Sequence, residues 1–165
     1  MKDWMINIFF IRIIYTMFVI LAISDSDKHF SSAIQEYEKR LGKDVKLENL
    51  KPYKGDNQQV VIEKETKSIV EVLEKKYLWW QKILLIKEWK QLDTIELSKQ
   101  LKLKDTVFII GGPYWVDDGM MKKKFLDLRE LSFWAITLPH WLAKLTLIEQ
   151  LYRVTTLWIW KKYHY

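Results

Sequence analysis

The sequence predicts an α/β domain built on a mainly parallel sheet covered by helices on both faces. Two observations lead there. Short apolar, often β-branched runs alternate with longer amphipathic stretches along the whole chain, the pattern of strand–helix–strand units. The composition, 49% hydrophobic and 29% charged over 165 residues, suits one domain with a real core and excludes a disordered or collagen-like chain. The absence of cysteine excludes disulfides, thiolate metal sites and a cysteine nucleophile. Three scattered histidines, His29, His140 and His164, argue against a zinc site, and no metal is expected. The net charge of +6 is compatible with a polyanionic partner.

Trp4 to Ile23 is a nearly continuous apolar run carrying one charge, Arg12. Its length would allow a membrane anchor over residues 4–23, but a central arginine is costly in hydrocarbon and a domain-like helix follows at once. The favoured division places a buried first strand at Phe18–Ile23, before the polar cluster Ser24–Asp27. Residues 1–16 then form an N-terminal extension, Met17 is an alternative start, and the domain runs over 17–165.

Ser26 or Asp27 can cap a first helix whose Ala33, Ile34, Tyr37 and Leu41 recur at helical spacing, with Gly42 as its C-terminal glycine. Val45–Tyr53 reads as a second strand, and Lys54–Gln59 as a polar loop. A long charged helix follows with Ile62, Ile69, Leu73 and Tyr77 on one face. Ile83–Ile86 is a short strand. Asp93 or Thr94 caps a helix carrying Ile95, Leu97 and Leu101. Thr106–Ile110 is a buried strand ending in Gly111-Gly112-Pro113, a basic helix spans Met120–Arg129, and Ser132–Leu138 is a last short strand. From His140 the pattern is a long apolar helix.

In open α/β sheets ligands bind beyond the carboxyl ends of strands, so the loops after Ile86, Ile110 and Thr137 are the places to look. The Gly111-Gly112 pair permits close backbone approach to a ligand, but no Gly-Lys-Ser/Thr follows and the spacing is not GxGxxG. Glu149, Gln150 and Arg153 are polar groups in an apolar helix, suited either to an interhelical ion pair or to an RNA contact by Arg153. The tail Lys161, Lys162, Tyr163, His164 and Tyr165 pairs cations for phosphate with aromatic faces for an unpaired base, or is a solvated basic end.

In order and spacing, FIIGGP, LSFWAITLPH, LIEQLYR and a terminal YH resemble the small SPOUT-class methyltransferases of the RlmH type. MFVILAI stands where chains of that family begin, and QEYEKRLG is similar to their first helix. The resemblance covers residues 17–165 and implies a domain whose C-terminal part forms a trefoil knot, acting as a cytoplasmic homodimer. It implies S-adenosylmethionine as cofactor and methyl transfer to N3 of a pseudouridine in bacterial large-subunit ribosomal RNA, with the ribosome as partner. Carried over, the cofactor contacts fall on Leu85, Gly111 and Gly112, and on Phe133, Trp134, Ala135, Ile136, Thr137 and Leu138. Arg153 and His164, with Lys161, Lys162 and Tyr163, face the RNA. N3 must lose its proton, and His140, Arg153 and His164 remain the candidates for assisting that. A homodimer would use Trp141, Leu145, Ile148, Tyr152 and Trp158 on the last helix.

Three positions depart from the family pattern. Trp89, Trp115 and Trp160 stand where it has glycine, in a chain with 9 Trp and only 5 Gly. A gene that uses UGA for glycine, translated with UGA as tryptophan, would account for both counts, and UGG codons at these positions would rule that out. The alternatives are true divergence or a designed sequence; bulky residues in the cofactor loops would also suit a catalytically impaired RNA-binding module of the same fold.

Overall fold

A computed structural model describes residues 16–25, 30–87, 91–133 and 138–159. Five strands form one sheet: β1 (Phe18–Ile23), β2 (Val45–Leu50), β3 (Gln81–Leu85), β4 (Thr106–Ile110) and β5 (Arg129–Leu131), in the order β2-β1-β4-β3-β5. Every pairing is parallel, with Phe18 opposite both Val45 and Thr106, Gln81 opposite Thr106, and Ile83 opposite Arg129. The helices are α1 (Ser31–Leu41), α2 (Gln58–Lys76), α3 (Thr94–Leu101), α4 (Asp118–Lys124) and α5 (His140–Trp158).

Alternation within the strands assigns the two faces. Phe18, Ile20, Ala22, Ile83, Phe108 and Ile110 pack beneath α1, α3 and α5, whose Ile34, Leu101, Leu147, Leu151 and Val154 complete one core. Val19, Leu21, Ile23, Leu84, Val107 and Ile109 meet Ile69 and Leu73 of α2 and Met121 of α4 on the other face. The inner strands β1 and β4 are buried throughout, which is why they appear in the sequence as unbroken apolar runs. Because Phe18–Ile23 is a strand, the apolar stretch 4–23 is not a single helix. Among the described residues no helix is long and apolar enough to cross a membrane.

Local chemistry sets most helix ends. Asn57 caps α2 by accepting from the Val60 amide, and Asp93 and Glu96 form a reciprocal capping box on α3. Gly42, at φ +58°, ends α1 where a side chain would be strained. Several boundaries differ from the sequence reading. α1 starts at Ser31, preceded by Phe30 without a side-chain cap, and the predicted caps Ser26 and Asp27 lie outside the described residues. β2 stops at Leu50, two residues before Pro52, which has no amide to donate. The buried stripe of α2 runs through Val61, Glu65, Ile69 and Leu73, so Val61 takes the place given to Ile62. Ile95 is 57% exposed. The basic helix covers Asp118–Lys124 only, because Phe125 leaves it to enter the second core. The last strand is Arg129–Leu131, upstream of Ser132–Leu138; Ser132 adds a single bridge to Gln91.

Edge strand β2 is tied to α2 through Glu48. Tyr77 Oη donates to Glu48 at 2.7 Å, Lys46 Nζ at 3.2 Å, and Lys76 Nζ pairs with the same carboxylate. Burial alone would raise the Glu48 pKa, but these three donors outweigh it and lower it to about 2. Since the folded value lies below the unfolded one, the contribution is present above the unfolded value of ~4.3 and is lost as pH falls from there towards 2. Both lysines are half exposed, so solvent screening tempers it. Glu48→Gln should cost about 1–2 kcal/mol near neutral pH and much less at acid pH, read from urea melts at the two pH values.

Candidate active site

The carboxyl ends of β3, β4 and β5 open into a cavity of about 330 Å³. Leu85, the last residue of β3, forms one wall with Ile86, whose amide donates to Leu131 O at 3.0 Å. Gly111 and Gly112 leave the end of β4 as a second wall, closed by a turn in which the Trp115 amide donates to Gly112 O at 3.0 Å. Phe133, Leu138, Pro139, His140 and Ala143 form the third, so the first turn of α5 faces the cavity. Lys87, whose carbonyl accepts from Ser132 Oγ at 2.7 Å, brings an ammonium group to the rim.

The turn is tightly constrained from behind. A Cβ on Gly111 would lie 3.1 Å from the Trp115 carbonyl carbon and from Val116 Cγ1, and one on Gly112 would lie 2.3 Å from Glu65 Oε2. Trp115 occupies the left-handed region at φ +69°, a conformation that favours glycine. Trp115 lines this cavity and also a smaller one of about 280 Å³ that shares Leu85, Ile86, Lys87 and Gly111.

Leu85, Gly111, Gly112, Phe133 and Leu138, predicted from three separate segments, therefore converge on one cavity. Trp134, Ala135, Ile136 and Thr137 lie outside the described residues, as do Trp89, Trp160, Lys161, Lys162, Tyr163 and His164. His140 reaches the cavity. Arg153 stands thirteen residues further along α5, about 20 Å away at helical rise, where its Nε donates to Glu149 Oε1 at 2.5 Å. Glu149 also accepts from Gln150 Nε2 at 2.8 Å, and Gln150 Oε1 accepts from Thr94 Oγ1 at 2.7 Å.

The apolar surplus assigned to a dimer face is largely consumed within the chain. Ile148 is fully buried, Trp141 stacks on Phe30 at 3.9 Å, Trp158 packs on Phe18 at 5.9 Å, and Tyr152 lies 5.9 Å from Tyr37. The exposed apolar residues near the end of α5 are Leu157 and Ile159.

Sequence reasoning missed Glu65 and Thr66, adjacent residues of α2 that support the turn. Glu65 Oε1 accepts the Tyr53 amide at 3.0 Å, and Thr66 Oγ1 accepts the Asp117 amide at 2.9 Å. The available signal was a carboxylate on the apolar stripe of that helix.

Apolar walls with a bare backbone edge suit a flat, largely apolar group that hydrogen-bonds along one side, such as adenine, while His140 and Lys87 offer polar contacts at the rim. These residues fit a nucleoside cofactor, with Trp115 narrowing the space. Among the described residues no group of three or more His, Cys, Asp or Glu could hold a metal ion.

Comparison with known proteins agrees with this geometry. Residues 16–164 match the family described as predicted SPOUT methyltransferases. A protein named ribosomal RNA large subunit methyltransferase H from Mycoplasmopsis agalactiae is 35% identical over 155 residues, covering 90% of this chain and 99% of that protein. Proteins of the same name from Thermodesulfovibrio yellowstonii and Streptococcus suis are 35% and 31% identical, each over 84% of this chain and 90% and 92% of their own lengths. With a glycine-lined cavity at the strand ends and a family match across nearly its whole length, the chain belongs to the SPOUT methyltransferases.

Proposed function

We propose that this protein methylates N3 of a pseudouridine in bacterial large-subunit ribosomal RNA, with S-adenosylmethionine as methyl donor. The observation that carries the reading is the convergence of Leu85, Gly111, Gly112, Phe133 and Leu138 on one cavity, in a chain whose relatives are named for large-subunit RNA methylation. When bound, the cofactor supplies an electrophilic methyl on a sulfonium.

The chain's own residues do the rest. Gly111 and Gly112 present backbone to the ligand, and Leu85, Leu131 and Leu138 exclude water from it. Of Lys87 and His140, which both line the cavity, His140 carries the imidazole suited to accept the N3 proton or to orient the uracil-like ring. Three-point alignment of nitrogen, methyl and sulfur is the main source of rate.

RNA engages Arg153 on α5 together with a cation–aromatic cluster between α1 and α5, where the Arg40 guanidinium lies 5.5 Å from the ring centroids of both Tyr37 and Tyr152. The tail Lys161, Lys162, Tyr163 and His164 adds phosphate and base contacts, so His140 and the RNA-facing groups act together across a homodimer. The half-buried groove along α5 lined by Leu92, Phe133, Leu142 and Leu145 supports that dimer. We assign residues 1–16 as an extension outside the 17–165 domain, and the cytoplasm, where ribosomes are assembled, as the place of action. Trp115 in the cavity wall favours the second reading, an RNA-binding module with weakened methyl transfer.

Arg153→Ala separates RNA binding from folding. The Arg153–Glu149 pair is 27% and 18% exposed, so its loss should cost about 1 kcal/mol or less. Affinity for large-subunit RNA should fall, with a shallower salt dependence, and cofactor affinity should stay unchanged. A loss of about 3 kcal/mol in a thermal melt with unaltered RNA binding would assign Arg153 to the fold instead.

A further inference from the structure

The cofactor turn is backed by a carboxyl group that the reaction as described leaves unused. Glu65 is 2% exposed, on the buried stripe of α2 between Val61 and Ile69 and beside the fully buried Thr66. One oxygen accepts the Tyr53 amide at 3.0 Å. The other, Oε2, is buried without a hydrogen-bond partner among the described residues. That oxygen fills the space where a side chain at Gly112 would begin, and Gly112 itself lines the cavity. A buried carboxyl group with one oxygen lacking a donor, one backbone thickness from a ligand cavity, is an arrangement whose ionised form a cation in that cavity would favour.

We propose that Glu65 is an electrostatic positioning residue, whose buried carboxylate behind the Gly111–Gly112 turn favours the sulfonium form of the cofactor over the neutral thioether left after methyl transfer. The proposal rests on the cavity being the S-adenosylmethionine site. The two ligands share adenosine and the amino-acid group and differ in the methyl and its positive charge. A fixed negative charge therefore separates them where apolar walls and backbone contacts do not, and it eases product departure once the charge is gone. Thr66, holding the Asp117 amide at the far end of the turn, keeps the loop pressed on this carboxylate.

Burial raises the Glu65 pKa, and the Tyr53 amide opposes that only in part, so the negative charge is lost at a higher pH than for an ordinary glutamate. Charged or titratable groups on the surrounding elements include Lys64 and Tyr53, joined by a 2.8 Å hydrogen bond, Glu63 and Lys67 on α2, Asp117, Asp118, Lys122, Lys123 and Lys124 at α4, and Lys87 and His140 on the cavity wall. Protonation of His140 would also disfavour a cationic ligand, which makes a variant lacking only the Glu65 charge necessary.

Titration calorimetry with S-adenosylmethionine and S-adenosylhomocysteine, on the unaltered protein and on Glu65→Gln from about pH 8 to about pH 5, tests this. The expected result is a preference for the sulfonium about tenfold smaller in Glu65→Gln at the upper pH, and a preference in the unaltered protein that declines towards the variant's as pH falls. An equal, parallel preference in both proteins overturns the proposal. If Glu65→Gln does not fold, the pH series is run on His140→Gln, which removes the imidazole from the cavity wall and leaves Glu65 in place; a flat preference there overturns the proposal. Failure of both ligands to bind either protein overturns the cofactor reading of the cavity, and the proposal with it.

Discussion

Replacing Gly112 by alanine should abolish measurable S-adenosylmethionine binding and destabilise the protein by about 2–3 kcal/mol. The new methyl would sit 2.3 Å from Glu65 Oε2, and Glu65 cannot swing away because its other oxygen holds the Tyr53 amide and the side chain is buried. Either the turn moves into the cavity or α2 moves outward. The first fills the ligand space, and the second loosens the core around Ile69 and Leu73. The double variant Glu65→Ala/Gly112→Ala identifies the cause. It removes the overlap, so its melting temperature should lie above that expected from adding the two single losses, a coupling proper to residues in contact. Additive losses would mean that Gly112 matters for another reason.

The second large effect goes the other way. Trp115→Gly should tighten S-adenosylmethionine binding about tenfold or more and raise stability slightly. The residue holds φ +69°, which costs a side-chain-bearing residue about 1 kcal/mol and glycine almost nothing. Trp115 lines cavities of about 330 and 280 Å³ that share four further wall residues, so replacing its side chain with hydrogen should enlarge the space open to the cofactor. Being 38% exposed, the indole contributes less packing than a buried one would, so little is lost. Calorimetry and a thermal melt on the single variant suffice; unchanged affinity would show that the indole does not restrict the cofactor. We further propose that Trp115 marks a misread glycine codon. The positive φ supports that origin, and a UGG codon at 115 would contradict it.

Much of this architecture is legible in the sequence for a physical reason. β1 and β4 are buried on both faces, so FVILAI and TVFII need no partner to be recognised as strands. The Asp93 cap and the terminal Gly42 are local chemistry and stand where expected. β5 was not legible, because it is a three-residue edge strand of which only Leu131 is buried, while the apolar run after it serves partly as cavity wall. Buried polar groups were also hidden. Glu65 faces a glycine on a distant turn, and Lys144 is 1% exposed with its ammonium donating to Asn49 at 2.9 Å across the sheet, so each position is decided by residues far away in the chain. The cavity was legible in outline because strand carboxyl ends and the family resemblance indicate the same loops. Trp115 was visible as an anomaly of type, and its place in the walls of both cavities emerges only in three dimensions.

Transfer of a labelled methyl group from S-adenosylmethionine to large ribosomal subunits lacking the native modification tests the central claim most directly, using the unaltered protein and Trp115→Gly side by side. Label is expected in large-subunit RNA, at N3 of a single pseudouridine, faster with Trp115→Gly and lost with Gly112→Ala. Cofactor binding by Trp115→Gly without any label in the RNA would contradict it.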